Sequence, residues 1–328
     1  MVERVPTEIV EGDSIRVLTI HSCPERCFFC HNEGSADYLP ARIDVAETVD
    51  FAKKARKEFG LGVVHLTGGE PTLHPQIVDL VSKLKQDKFR VQLTTNGDLN
   101  SDLLDQIIAA GVDSLNFSLH ATTPEDFRKT QILGGPDERP EYYNFLMKRK
   151  ISNIERARSL VRVKLNTVVI SEEITGKVID YAIGKGIPLR LMRNLNNIVE
   201  SDRLIDKMLF ERGLQPIKEQ IARDDSGGSG TVYGFVDNKT QVTDIKVKKF
   251  GDVYLDSICE GCPLKNTPRC RERFYGMRIG VNTETLKTEV RLCLDRDDSE
   301  VVIDPKDVFE GKHYRSLKAN YIKEPLKS

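Results

Sequence analysis

From Ser14 to about Asn194, short apolar runs alternate with longer stretches whose apolar residues recur at helical spacing. The strand-like runs are 15–20 (IRVLTI), 63–67 (VVHLT), 90–95 (RVQLTT), 114–120 (SLNFSLH), 161–170 (VRVKLNTVVI) and 188–193 (PLRLMR). They are short and rich in Val, Ile and Leu, and several are followed by turn residues, as buried strands are. Between them, residues 43–60 carry Val45, Val49, Phe51 and Ala52 on one face and Gly60 where a C-cap is expected. Residues 74–86, 101–111 and 172–186 read as helices in the same way. Strand–helix units of this kind join parallel strands by right-handed crossovers. The sheet is then either doubly wound or an incomplete barrel, and in both forms chemistry collects at the C-terminal ends of the strands. The chemically suggestive motifs obey that rule. A cysteine run follows the first strand, TGGEP the second, TTNG the third and SLHA the fourth.

The pattern changes at 223–235 (RDDSGGSGTVYGF), whose small polar residues predict a linker or mobile loop. Beyond it, 242–256 (VTDIKVKKFGDVYLD) and 277–295 (MRIGVNTETLKTEVRLCLD) alternate like hairpins. The expected organisation is an N-terminal extension (1–13), an α/β region (14–225), a smaller β-containing region (226–310) and a tail (311–328). The pattern contains no internal repeat.

Composition narrows the partners. With 30% charged residues and a net charge of −1, a general nucleic-acid polymer binder is not expected, although a local anion pocket is compatible. No apolar run approaches the ~18 residues of a membrane span. The start, MVERVPTEIVEGD, has no apolar core of a signal peptide, so a cytoplasmic location is the expectation.

The seven cysteines form two groups, Cys23/Cys27/Cys30 and Cys259/Cys262/Cys270/Cys293. An odd count with tight spacings favours metal or cluster ligation over a disulfide framework. In HSCPERCFFCHNEG (21–34), three thiolates are one short of a structural zinc site or a closed cluster. They can hold three irons of a cubane and leave the fourth open, which is what catalysis requires. Downstream, Gly68 and Gly69 would let the backbone come close to a ligand, and Glu70 could pair with a cation.

The spacing Cys-x3-Cys-x2-Cys, followed in order by TGGEP and SLHA, resembles the radical S-adenosylmethionine (SAM) enzymes. The resemblance implies an incomplete (β/α)6 TIM-type barrel of the α/β class, with a C-terminal β-containing region for an auxiliary cluster. It implies a [4Fe–4S] cluster on Cys23, Cys27 and Cys30, with SAM on the open iron. It assigns Gly68, Gly69, Glu70, Ser118 and Leu195 to the SAM site, Glu70 against the ammonium and Phe29 against the adenine. The implied activity is reductive cleavage of SAM to a 5′-deoxyadenosyl radical, which takes hydrogen from a substrate. A one-electron donor such as flavodoxin or ferredoxin is implied as partner.

Within that superfamily, LTGGEPTLHPQIVDLV, TTNG, AGVDSLNFSLHATTPEDFRK and VKLNTVVI resemble the GTP cyclases of molybdenum-cofactor biosynthesis over most of 14–195. This implies a second [4Fe–4S] cluster on Cys259, Cys262 and Cys293. It also implies substrate contacts from Arg16, Thr94, Lys164 and Arg190. Three departures stand out. His65 replaces an arginine two positions before TGGE, the chain ends in KEPLKS instead of Gly-Gly, and PLKNTPRCRERFYG delays the MRIG arginine to Arg278. His65 and Arg278 remain candidate substrate contacts. The departures argue against GTP cyclisation itself and predict a relative with a different substrate; the basic residues at the mouth imply an anionic one, a nucleotide or nucleoside-like metabolite first, with cyclisation, rearrangement or epimerisation as the outcome. Whether Cys270 closes the second cluster is open on spacing alone, and a four-cysteine zinc site is a third possibility. Two other classes compete: a peptide-modifying radical enzyme with an auxiliary cluster, and a non-catalytic iron–sulfur or zinc protein. The second leaves Gly68, Gly69 and Glu70 without a role.

Overall fold

The computed structural model describes residues 6–10, 14–30, 41–133, 139–222, 230–234, 244–248, 254–267, 270, 276–293, 295–296 and 298–322. In chain order the elements begin with β1 (Thr7–Val10), β2 (Ile15–Leu18), β3 (Glu25–Cys27), α1 (Val45–Phe59), β4 (Val63–Thr67), α2 (Ile77–Gln86) and β5 (Arg90–Thr95). They continue through α3 (Ser101–Ala109), β6 (Ser114–Ser118), α4 (Pro124–Thr130), β7 (Gln131–Leu133), α5 (Pro140–Arg158) and β8 (Arg162–Val168). Then come α6 (Glu172–Lys185), β9 (Leu189–Met192), α7 (Ile198–Glu211), β10 (Gln215–Ala222), β11 (Gly230–Gly234), β12 (Ile245–Lys248), β13 (Arg278–Val281), β14 (Thr288–Arg291) and β15 (Val302–Ile303).

The helices start and stop where local chemistry directs. Asp44 caps α1 by accepting the Glu47 amide at 2.9 Å, and Gly60 ends it at φ 75°, a left-handed conformation that suits glycine. Ser171 caps α6 in the same manner, accepting the Ile174 amide at 3.2 Å. The buried faces of these helices cover Ile15, Val64, Leu66, Val91, Leu93, Leu115, Leu165, Leu189 and Leu191, the outward apolar residues of the strands.

The strand order decides between the two windings. β2, β4, β5, β6, β8 and β9 are neighbours in chain order, and every pairing among them is parallel. A doubly wound sheet would reverse direction at its middle. This sheet never does, so its winding is that of an incomplete TIM-type barrel.

The first and last of these strands do not pair with each other. β13 adds in parallel to β2, and β12 adds in parallel to β9. The complete ladder among the described residues is a 13-stranded sheet in the order β1-β10-β11-β12-β9-β8-β6-β5-β4-β2-β13-β14-β15. Strands from the expected auxiliary region therefore extend both edges of the core sheet. The 277–295 hairpin is present as β13 and β14, paired antiparallel from Arg278↔Arg291 to Val281↔Thr288. Of the 242–256 hairpin only β12 and residues 244 and 254–256 lie within the described residues, and β12 pairs with β11 and β9. One expectation is corrected. Within the segment read as a linker, Gly230–Gly234 forms β11, hydrogen-bonded to both β10 and β12. The run Thr-Val-Tyr carries enough β-forming character to extend the ladder once the glycine–serine stretch has ended. No helix among the described residues is long and apolar enough to cross a membrane.

Candidate active site

Side chains at i and i+2 on a strand share a face. On the inward face of the core strands this brings together Arg16, His65 and Thr67, Thr94 and Asn96, Ser118 and His120, Asn166 and Val168, and Arg190 and Met192. They line a cavity of about 270 Å³ at the C-terminal ends of the strands. Of the candidate residues, Cys23, Cys27, Cys30, Phe29, Gly68, Gly69, Glu70, Ser118, Leu195, Arg16, His65, Thr94, Arg190 and Arg278 all line it. Among the candidates for the first cluster, SAM and substrate, Lys164 is the one outside it. It lies two residues before Asn166 on the same face of β8 and does not reach the lining.

The cysteine loop is held from three sides. Glu25–Cys27 pairs antiparallel with Gln131–Leu133 in a small two-stranded sheet. The buried Glu25 carboxylate forms an ion pair with the buried Lys150 ammonium of α5 and accepts a hydrogen bond from Gln131 Nε2. Lys150 Nζ also sits 4.6 Å from the centroid of the Phe127 ring. On the third side, the amides of Gly69 and Glu70 donate to the carbonyls of Ile20 (2.8 Å) and Ser22 (2.9 Å). A Cβ on Gly69 would stand 2.2 Å from the Ser22 carbonyl oxygen, and one on Gly68, at φ 123°, would stand 2.7 Å from that of Ile20. The close approach these glycines permit is therefore to the backbone of the cysteine loop. Burial, with the Glu25 carboxylate adding to it, pushes the Cys23 thiol up to about 12 and raises Cys27 as well. Metal binding must displace protons from these thiols.

Glu70 is buried close enough to the cysteine loop for its charge to act on the Cys23 thiol. Its carboxylate accepts from Thr72 N (3.1 Å), Thr72 Oγ1 (2.7 Å), Thr95 Oγ1 (2.7 Å) and Asn96 N (2.6 Å). Burial raises its pKa against the pull of these neutral donors. Among the described residues no lysine or arginine forms a salt bridge with it, so the wall presents a buried carboxylate suited to an ammonium. His120 belongs to the SLHA motif, where nothing in the pattern singles it out as a site residue. Its Nδ1 accepts the Val168 amide at 3.1 Å, which leaves the proton of the neutral ring on Nε2. Burial holds its pKa at about 3, with Lys150 adding to the effect, so the ring stays neutral. Phe29 packs on it with centroids 4.6 Å apart.

The remaining lining is cationic. Arg278 on β13 is in register with Arg16 on β2, and Lys248 on β12 completes the set with Arg190 and Arg193. Desolvation, then Arg16, lowers the pKa of Arg190. Deeper in the barrel, Lys164 and Lys246 both fall to about 8, first through burial and next through the nearby Arg190. His65 takes the place expected of an arginine, and its Nε2 lies 2.7 Å from Thr94 Oγ1. Lys246 and Lys248 had no signal in sequence beyond alternation in a strand whose partner was unknown.

The second cysteine group lies elsewhere. Cys259, Cys262, Cys270 and Cys293 line one small pocket with Tyr254, Leu264, Leu292, Lys265 and Arg296. No residue of that lining belongs to the barrel cavity.

The pattern of the Radical SAM superfamily matches residues 17–181. The chain is also 40% identical, over 316 residues, to a protein of Saccharolobus islandicus (strain M.14.25 / Kamchatka #1) named probable GTP 3′,8-cyclase, covering 93% of this chain and 90% of that one. The chain belongs to the radical SAM superfamily. A further probable GTP 3′,8-cyclase, from Sulfolobus acidocaldarius, is 32% identical over 182 residues, 54% of each chain. Two solved neighbours share the fold. Streptococcus suis SuiB bound to precursor peptide SuiA has a TM-score of 0.58 at 12% identity, over 94% of this chain and 67% of that one. Native anSMEcpe with bound AdoMet has 0.54 at 16%, over 97% and 84%.

The cavity fits what a radical SAM enzyme must hold. Three thiols and a buried carboxylate, paired among the described residues with neutral donors, line one cavity with an aromatic ring, Phe29. The chemistry supplied by a [4Fe–4S] cluster with SAM is one-electron cleavage of the sulfonium to a 5′-deoxyadenosyl radical. The protein's part is to orient both molecules and exclude water. The arginines and lysine of the remaining lining suit a phosphate or carboxylate on the substrate.

Proposed function

We propose that this radical SAM enzyme abstracts hydrogen from a nucleoside triphosphate, with GTP as the first candidate, and leads it to cyclise. In this reading Cys23, Cys27 and Cys30 hold the first cluster. Glu70 receives the SAM ammonium, and Phe29, Ser118, His120 and Leu195 form the rest of its pocket. Arg16, Arg190, Lys248 and Arg278 take the phosphates and base. A second cluster sits on the C-terminal cysteines, and a flavodoxin- or ferredoxin-type protein supplies electrons.

The observation that carries the reading is the polarity of one cavity, with thiols and a carboxylate in one part and a group of arginines and a lysine in the other. It also bears on the expectation of a substrate different from the cyclases'. Two departures behind that expectation fall on described residues. The displaced arginine, Arg278, nevertheless stands in register with Arg16 and lines the cavity. His65, where an arginine is expected, is hydrogen-bonded to Thr94. Neither removes the cationic lining, and the shared name of the relatives favours GTP.

The test is an anaerobic assay of reconstituted, reduced protein with SAM and, separately, GTP, ATP, CTP and UTP. GTP is expected to be consumed in step with 5′-deoxyadenosine formation, and the other nucleotides are not. Uncoupled SAM cleavage with all four would reject the nucleotide while leaving the radical chemistry intact.

A further inference from the structure

The second cysteine group offers one thiol more than the first, and the fold determines where that thiol goes. Cys259 ends a short helical turn, Asp256–Cys259. The chain then turns tightly over 259–267, where the amides of Cys262, Lys265 and Thr267 donate to the carbonyls of Cys259, Cys262 and Leu264, and the Cys270 amide donates to the Thr267 carbonyl, all at 3.1–3.2 Å. Cys270 lines the same pocket as Cys259 and Cys262. Cys293 enters the same pocket from just beyond the end of β14.

Charge in the pocket supports four sulfurs acting together. Lys265 and Arg296 both line it, against one carboxylate, Asp295. Arg296 is fixed in place by donating to the Ile258 carbonyl at 2.8 Å and to Asp298 at 2.8 and 3.0 Å. A cubane held by four thiolates is an anion, and Lys265 stands at its rim beside Arg296, which is paired with Asp298. The void itself is small, about 20 Å³, against about 270 Å³ at the barrel cavity. A site that leaves one iron for a substrate atom needs a free corner and room beside it. The first cysteine group has three thiols and a ligand-sized cavity. The second has four thiols and, among the described residues, only the smaller void.

We infer that Cys270 is the fourth ligand of the second cluster, which is therefore closed and takes no atom of the substrate. The inference rests on the reading of the C-terminal cysteines as a cluster site, and it assigns all substrate binding to the barrel cavity.

The experiment uses the full chain with Cys23, Cys27 and Cys30 all changed to Ala, so that only the second site loads. Iron content and the electron paramagnetic resonance spectrum of the reduced cluster are read with and without cyanide and GTP. About four irons per chain are expected, with a spectrum indifferent to both probes. Adding Cys270→Ala should open one corner, so that about one iron is lost on brief oxidation and the spectrum becomes cyanide-sensitive. Cys270→Ser, which keeps an oxygen ligand and the side-chain shape, should retain the iron with a shifted spectrum. The inference is overturned if the parent spectrum already moves on adding GTP and neither Cys270 variant differs from it. Zinc in place of iron would overturn it too, together with the second-cluster reading. Radical SAM activity, assayed separately in the wild-type chain, is untouched by either result.

Discussion

The two cysteine regions solve opposite problems. The N-terminal loop has three thiols, and its surroundings do the holding: a two-stranded sheet, a buried ion pair, and two glycines that let the TGGE turn lie against its backbone. The C-terminal group has four thiols, two of which, Cys259 and Cys293, pack against the core, with Lys265 and Arg296 in the same pocket. A closed cluster crosslinks its own ligands and so fixes the chain that carries it. An open cluster leaves one corner to a small molecule, so the protein must supply the rigidity that the missing bond would have given. On the proposed reading of both groups as cluster sites, the group with fewer thiols is the one whose loop is held by the sheet, the ion pair and the glycine contacts.

The strongest way to break this contrast is at Lys150. Lys150→Met leaves the Glu25 carboxylate buried without its partner, a change that costs about 3–5 kcal/mol. Anaerobic denaturant unfolding should register it, and the first cluster should load poorly. The double change Glu25→Gln with Lys150→Met should recover much of the loss. By contrast Arg296→Met, at the rim of the second pocket, should cost at most about 1 kcal/mol. Equal costs at the two sites would dissolve the distinction.

Glycines give the next test. Gly69→Ala drives a Cβ into the Ser22 carbonyl and should cost about 1–3 kcal/mol, with iron lost from the first site alone. Gly261, between the C-terminal cysteines, has φ 76° and nothing within 4 Å of where a Cβ would stand. Gly261→Ala then carries only the left-handed backbone cost of about 1–2 kcal/mol, and second-site iron should persist.

Glu70→Gln sharpens the comparison within the cavity, because it removes charge without removing a thiol. SAM affinity should fall about 10-fold or more, the worth of a hydrogen bond to a charged group being ~1.5–3 kcal/mol, while first-cluster iron is retained. Titration calorimetry with SAM checks it; unchanged affinity would take Glu70 out of the site.

The smallest effect is in pH. Lys164 and Lys246 have pKa values lowered to about 8, so each is charged below that pH and neutral above it. An anionic substrate favours the charged form. GTP affinity should therefore decline a few-fold as pH rises from about 7 to about 9, and Lys164→Met with Lys246→Met should flatten the decline. A profile that is flat in the wild type would place the phosphates away from these lysines.

The core strands, the motifs at their ends and most of the cavity lining could be read from sequence, because each depends on local alternation and on contiguous residues. The cradle could not. Lys150 lies in a charge-rich helix, within LMKRKIS, where a lysine reads as solvated, and its partner is 125 positions away. Its burial follows from how α5 packs on α4, which no periodicity encodes. Lys248 and Lys246 were hidden for a similar reason: their strand becomes part of the barrel only through pairing with β9. Lys164 shows the converse. Its place at a barrel strand suggested contact, but the cavity stops two residues above it. β11 was masked by the glycine–serine stretch before it, and Arg278 regained its place through the register of β13 with β2, although the insertion had displaced it in sequence.

The pairing of β13 with β2 and of β12 with β9 also bears on the order in which the protein is made. A ribosome completes all six central strands before it has synthesised either strand that covers their flanks. Until residue 248 has emerged one flank lies bare, and until residue 281 the other does. Each presents a row of unsatisfied backbone donors and acceptors to any passing strand. The cysteine loop is out from the beginning of that interval. A nascent chain that stalls before these late strands therefore carries two bare parallel edges, the arrangement most open to strand pairing with a neighbour.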